Sequence, residues 1–167
     1  MASIRKKCLV AFDFDCTVVD ENTDVVVQSI PGFPALDFEF DESRRAAGWT
    51  SFMQMVFRYH HRNSVGEEDF CRRLDTIPFA PGMLDLVTRL SAIDNVEMII
   101  VSDANSFFID HILDKNGLNE TFSEVATNPA RFDESGMRFS FTLPGHAYHC
   151  TQYVFKGHRH FIDINVP

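Results

Sequence analysis

Several marks of common protein classes are missing from this sequence. There is no basic stripe: 24 acidic residues outnumber 15 basic ones, and the formal net charge is −9. That balance argues against a nucleic-acid partner, whose binding needs clustered Lys and Arg. There are only four cysteines (Cys8, Cys16, Cys71 and Cys150), and their spacing forms no framework. A disulfide scaffold is excluded, and a reducing compartment fits. No apolar run approaches the length of a membrane span. The basic opening Arg5-Lys6-Lys7 leads into an apolar stretch that Asp13 interrupts after five residues, too short for the apolar region of a signal peptide. Internal repeats and low-complexity tracts are also missing. A cytoplasmic protein without a membrane or nucleic-acid partner is the expectation. Its 167 residues suffice for one domain with a real core, or one domain with a small insertion. What is abundant is phenylalanine, with 17 copies in an ordinary apolar content of 45%.

The most informative segment is Cys8-Leu9-Val10-Ala11-Phe12-Asp13-Phe14-Asp15-Cys16-Thr17. A short apolar run of this kind reads as a buried strand. Alternation along a strand sends Asp13 and Asp15 to one side and Phe12 and Phe14 to the other. Two carboxylates crowded at the mouth of a sheet repel unless a cation or a shared proton relieves them. The pattern suits a metal ion, a nucleophile and an acid/base.

Farther along, Trp49, Phe52, Met53, Val56 and Phe57 form one stripe of a helix expected over 41–62. Ser64-x-x-Glu67 reads as a capping box opening a second helix, with Phe70, Cys71 and Leu74 inward. A third helix is expected over about 82–92, a strand over 96–101, a helix over 105–116 ending at Asn116-Gly117, and a strand over 122–126. The turn at Ser135-Gly136 precedes an alternating, half-buried strand of Met137, Phe139, Phe141 and Leu143. Strands alternating with helices predict an α/β fold with a parallel sheet, whose ligands bind at the carboxyl ends of its strands. Asp13 and Asp15 fall at such an end. So does Ser102, in Val101-Ser102-Asp103-Ala104-Asn105, where a hydroxyl ahead of a helix could hold a phosphate oxygen. The competing reading is that Ser102 or Asp103 caps that helix. The pair His60-His61 is read as favourably placed at the negative end of its helix. His146, His149, His158 and His160 match no closed zinc site and are read as a solvated tail.

These motifs, in order, resemble the haloacid dehalogenase superfamily of aspartate-dependent phosphatases. Within it they are most similar to the phosphoethanolamine/phosphocholine phosphatase and pyridoxal phosphate phosphatase family. The matching stretches are Phe12-Asp13-Phe14-Asp15, Val19-Asp20-Glu21-Asn22-Thr23-Asp24 and Phe52-Met53-Gln54-Met55-Val56-Phe57-Arg58-Tyr59. Pro81-Gly82-Met83, Ser102-Asp103-Ala104-Asn105 and Thr127-Asn128-Pro129 follow. The resemblance implies an incomplete Rossmann-like core over 1–19 and 81–150, a small helical cap inserted after the first strand over 20–80, and a divergent tail over 151–167. It makes Asp13 the nucleophile and Asp15 the acid/base. Asp13 and Asp15 would hold Mg2+, Thr17 and Ser102 would bind phosphate, and Asp24 and Asp103 would contact a cationic head group. The implied substrate is a small phosphorylated metabolite: phosphoethanolamine, phosphocholine or pyridoxal 5′-phosphate.

The sequence departs from the family at two places. Cys16 stands where the superfamily usually has Gly. The family's later lysine and Gly-Asp-Gly-x-x-Asp motif, whose carboxylates complete the magnesium site, have no counterpart before Pro167. The chain is therefore read as truncated relative to the family, with weak magnesium binding and low turnover expected. Two readings stay open: a phosphomonoesterase, or a non-catalytic remnant that binds phosphate compounds or a partner. The first strand is central in the related fold. An exposed sheet edge is therefore expected here, covered by the run Phe161-Ile162-Asp163-Ile164-Asn165-Val166 or prone to self-association.

Overall fold

The apolar run at the N-terminus forms β1 (Cys8–Phe12), which lies parallel to β2 (Val96–Asn105) in the register Cys8↔Val96 to Phe12↔Ile100. The protein is seen in a computed structural model that describes residues 8–37 and 48–139. The expectations for the 41–47 part of the first long helix, for Phe141 and Leu143, for the four tail histidines and for the run 161–166 lie outside the described residues. The third strand, β3 (Glu124–Asn128), is parallel to β2 on its other side, giving the order β1-β2-β3. The fold is thus α/β with a parallel three-stranded sheet of Rossmann-like type. Among the described residues β1 has a strand neighbour on one side only. Its Leu9 is 43% exposed.

Among the described residues four helices lie between β1 and β2: α1 (Thr23–Val26), α2 (Trp49–Arg62), α3 (Glu67–Leu74) and α4 (Met83–Ser91). α5 (Ser106–Lys115) links β2 to β3. The segment joining β1 to these helices and the segment leaving α3 run side by side. Val19 and Phe79 form an antiparallel bridge, the Asp20 amide donates to the Pro78 carbonyl at 2.9 Å, and the Ala80 amide donates to the Val18 carbonyl at 3.0 Å.

The phenylalanine excess has a structural use. Phe57 of α2 meets Phe70 of α3 and Phe108 of α5 edge-on, each with ring centres 6.1 Å apart. Phe70 stacks on Phe108 at 6.3 Å, and Phe139 closes on Phe57 at 5.4 Å. Such pairs add about 0.5–1.5 kcal/mol each beyond their burial. They join the helices to the sheet layer in one continuous core.

Three local expectations are corrected. The second helix is not opened by Ser64-x-x-Glu67. Its N-cap is Gly66, whose amide donates to Asp69 Oδ2 at 2.9 Å. A short strand, β4 (Ala130–Asp133), precedes β5 (Gly136–Phe139), and the two form an antiparallel hairpin apart from the main sheet. The Phe139 amide ties this hairpin to α2 through Gln54 Oε1 at 3.1 Å. His60 does not serve the helix end in solvent. It is 1% exposed, its Nε2 lies 2.8 Å from the Val27 carbonyl, and burial lowers its pKa despite that bond. Among the described residues no helix is long and apolar enough to cross a membrane.

Candidate active site

β1 ends at Phe12, and the chain turns at once. The carbonyl of fully buried Phe14 accepts from the amides of Thr17 at 3.2 Å, Val18 at 2.8 Å and Val19 at 3.1 Å. Cys16 sits in this turn with φ +57, the left-handed region that favours glycine. Its amide donates to the Glu21 carbonyl at 3.2 Å. Phe12 and Phe14 are buried, in keeping with the alternation read from sequence. The two aspartates, however, have different environments. Asp13 is exposed, with Oδ1 accepting from the Phe14 amide at 2.7 Å. Asp15 is buried.

Asp15 is anchored by α1. Thr23 Oγ1 donates to its Oδ2 at 3.2 Å, while Oδ1 is buried and has no partner among the described residues. Its pKa is pushed up to about 6, first by burial; hydrogen bonds from Thr23 oppose the rise, and the charges of Asp103 and Asp13 add to it. Asp24 follows Thr23 and is also buried. Trp49, in the first turn of α2, donates Nε1–H to Asp24 Oδ2 at 2.7 Å, and Oδ1 has no partner among the described residues. Burial pushes the Asp24 pKa up to about 7. The Trp49 bond opposes this, the charges of Asp15 and Asp103 reinforce it, and Asn105 favours the ionised form. α1 has only four residues, yet it positions both carboxylates. Its N-cap Asn22 accepts from the Val25 amide at 2.9 Å.

Ser102 lies two residues past Ile100, the β2 partner of Phe12, at the same end of the sheet as Asp13. Ser102 is buried, and its Oγ accepts from the Ala104 amide at 3.2 Å. Neither Ser102 nor Asp103 caps α5. Asn105 does, with Oδ1 accepting from the Phe108 amide at 3.1 Å. The capping alternative is thereby removed for Ser102. Asp103 is exposed and acts on both Asp15 and Asp24 through its charge. Thr17 is half-buried in the turn. Asp13, Asp15, Asp24 and Asp103 thus form one electrostatically coupled set. The sequence reading missed Thr23, Trp49 and Asn105. An Asn just ahead of a helical period is a recognisable cap signal; nothing in the sequence points from Trp49 to Asp24.

Residues 8–154 match a family model described as "Putative Phosphatase". The chain belongs to that family. Its curated relatives include phosphatases. The chain is 38% identical over 149 residues to pyridoxal phosphate phosphatase PHOSPHO2 of Bos taurus, covering 87% of this chain and 60% of that one. It is 38% identical over 154 residues to the phosphoethanolamine/phosphocholine phosphatase of Gallus gallus, covering 90% of this chain and 56% of that one. It therefore spans a little over half the length of these relatives. Among solved structures, a phospho-aspartyl intermediate analogue of phosphoserine phosphatase superposes with a TM-score of 0.52 at 16% identity, over 81% of this chain and 64% of that one. That likeness establishes a shared fold.

Asp13 and Asp15 offer only oxygen, the donor that suits a hard divalent cation. Among the described residues no three His, Cys, Asp or Glu groups converge to hold a metal. The residues present fit part of a coordination shell, with water and substrate oxygens needed for the rest.

Proposed function

We propose that this chain acts as a phosphomonoesterase on a small phosphorylated metabolite, through an aspartyl-phosphate intermediate. The observation that carries the reading is the division between two neighbouring carboxylates: Asp13 exposed at the end of β1, Asp15 buried with one oxygen held by Thr23 and the other unpartnered among the described residues. In this reading Asp13 attacks and Asp15 exchanges a proton. The Asp13 carboxylate attacks phosphorus as the ester P–O bond breaks, and the leaving oxygen takes a proton from Asp15. Asp15 then accepts a proton from water, whose oxygen attacks phosphorus and breaks the Asp13–phosphate bond. Covalent transfer divides one difficult displacement into two easier ones. A buried carboxyl already biased toward protonation suits the acid role. Thr17 and Ser102 would bind phosphate oxygens, and Asp24 and Asp103 would face a cationic leaving group. The Asp13 carboxylate and the Asp15 main-chain carbonyl would hold Mg2+, which would offset the negative charge gathered on the phosphoryl group.

Relatives named for pyridoxal phosphate and for phosphoethanolamine/phosphocholine make these esters the first substrates to test. The paired segments at Val18–Asp20 and Pro78–Ala80 support reading 20–80 as an inserted cap, since its entry and exit are joined. The open side of β1 supports self-association through that edge.

Binding without turnover is favoured by one observation: among the described residues no three His, Cys, Asp or Glu side chains are arranged to hold a metal ion. Phosphate release from pyridoxal phosphate, phosphoethanolamine and an aryl phosphate, with magnesium, separates the readings. Release by the wild type and its loss in Asp13→Asn supports the phosphatase. Ligand binding by both proteins with no release supports the second reading. Equal release by both overturns the role of Asp13.

A further inference from the structure

Outside the carboxylate set, two side chains close on one end of α1. Arg73 of α3 donates Nε–H to the Val26 carbonyl at 3.1 Å, and His60 of α2 meets the Val27 carbonyl with Nε2 at 2.8 Å. A carbonyl only accepts, so that nitrogen carries the proton. Both donors are themselves held. His60 is buried and meets Phe70 edge-on at 5.5 Å. Half-buried Arg73 fixes its guanidinium with a second bond, Nη1 to Thr76 Oγ1 at 3.2 Å. A helix of four residues cannot hold its own shape, since isolated helices below about 12–15 residues are marginal in water. The last carbonyls of a helix find no partner inside it. At its C-terminal end α1 is therefore held from outside, by one donor from α2 and one from α3.

We propose that Arg73 and His60 are positioning residues, which fix α1 so that Thr23 aims the Asp15 carboxyl at the leaving-group oxygen. This rests on the phosphomonoesterase reading and adds the residues that keep its acid in place. The chain of contacts is short. Thr23 Oγ1 donates to Asp15 Oδ2 at 3.2 Å, and the Thr23 carbonyl accepts from the Val27 amide at 3.1 Å, one turn from the carbonyl that His60 grips. Thr23 and Val27 are fully buried, so a shift at the gripped end passes through the turn to Thr23. Proton transfer depends on geometry, and a misplacement of about 1 Å can cost about a hundredfold in rate. The guanidinium also sets a positive charge at the negative end of α1. Both residues act through Thr23 and not on substrate. How α2 and α3 dock is thereby felt at Asp15.

The test compares the full chain with Arg73→Met, which keeps the stem and removes the donors, and with Arg73→Lys, which keeps a charged donor. Phenyl phosphate and para-nitrophenyl phosphate have similar shapes, but nitrophenolate leaves with little need of a proton. Their kcat/KM values report the transfer to Asp13. Arg73→Met should lower kcat/KM for phenyl phosphate about tenfold more than for para-nitrophenyl phosphate, because a general acid matters most for the poorer leaving group. Arg73→Lys should restore most of the difference. Amide hydrogen exchange gives a readout free of turnover. The Val26 and Val27 amides donate to the Asn22 and Thr23 carbonyls at 3.0 and 3.1 Å. In Arg73→Met they should exchange about tenfold faster, beyond any change in the amides of α5. If Arg73→Met does not fold, His60→Asn, which gives up Nε2, and His60→Gln, which keeps a donor there, repeat both comparisons. Equal loss on the two esters, exchange that quickens uniformly with falling melting temperature, or unchanged protection of α1 would overturn the inference. Selective quickening in α1, with no turnover of either ester by the wild type, would instead count against the phosphatase reading alone.

Discussion

The Asn128 side-chain amide donates to the main-chain carbonyl of Asp103 at 2.7 Å, so the strand end that bears Ser102 and Asp103 is held by its neighbour. The β2–β3 ladder loses register between Val101 and Asn105. Side chains take over there, with Thr127 Oγ1 also donating to the Ala104 carbonyl at 2.9 Å. Asn128 is buried. Asn128→Ala should therefore cost about 0.5–1.5 kcal/mol in urea unfolding, the net worth of a typical intramolecular hydrogen bond. Any phosphatase activity should fall more steeply than the loss of folded protein explains. A variant as stable as the wild type would show that the loop stands without this bond.

Cys16 adopts φ +57 with an exposed side chain, so little packing is at stake. A non-glycine residue there pays steric strain of about 1–2 kcal/mol. Glycine relieves that strain but gives back part of it as greater freedom of the unfolded chain. Cys16→Gly should raise stability by about 0.5–1 kcal/mol, read as a higher urea midpoint at unchanged slope. A lower midpoint would mean that the thiol makes a stabilising contact.

Much of this architecture was legible in the sequence because it rests on local signals. The run Cys8–Phe12 is short, apolar and followed by polar residues; Asn116-Gly117 ends a helix as such pairs do. The failures occurred where contacts span distance or where two local signals compete. Ser64-x-x-Glu67 has the form of a capping box, but Ser64 itself lies at φ +61, and Asp69 closes the helix onto Gly66 instead. Ser102, Asp103 and Asn105 are all good caps, and only the path of β2 decides for Asn105. The strand Ala130–Asp133 alternates apolar and polar residues, but at four residues it is the shortest run in which alternation can be counted. Trp49 looked like one more core residue of an amphipathic stripe. Its bond to Asp24 joins positions 25 residues apart, which no periodicity encodes.

His60 supplies a pH dependence of stability with a definite sign. Burial lowers its folded pKa below 6.5, with its bond to the Val27 carbonyl opposing only in part. Between the folded value and 6.5 the unfolded chain binds a proton that the native state does not. Stability therefore declines as pH falls below 6.5, by at most about 1.4 kcal/mol per pH unit from this group, and levels off below the folded value. His60→Gln offers an amide to the Val27 carbonyl but cannot titrate. The variant should be less stable at neutral pH, yet show a shallower acid decline than the wild type in melts from about pH 5 to 7. Parallel declines in the two proteins would place the titrating group elsewhere.

The open side of β1 makes the last prediction. Cys8 donates its amide to Asn95 at 2.7 Å, which sets the ladder toward β2 on Cys8, Val10 and Phe12. In a parallel ladder the alternate residues, Leu9 and Ala11, then turn their main-chain groups the other way, where the described residues supply no strand. Leu9 is also 43% exposed, and Ala11 is exposed. Unpaired edges with apolar side chains template further pairing, and a lysine on such an edge is the usual guard against it. The wild-type chain should therefore self-associate as its concentration rises in sedimentation velocity, and Leu9→Lys should shift it toward monomer without lowering its melting temperature. The charge replaces an exposed side chain, so its effect on folding stays within about 0.5 kcal/mol. A wild type that sediments as a monomer throughout would mean that this edge is already covered within one chain. Self-association unchanged by Leu9→Lys would move the contact to another face.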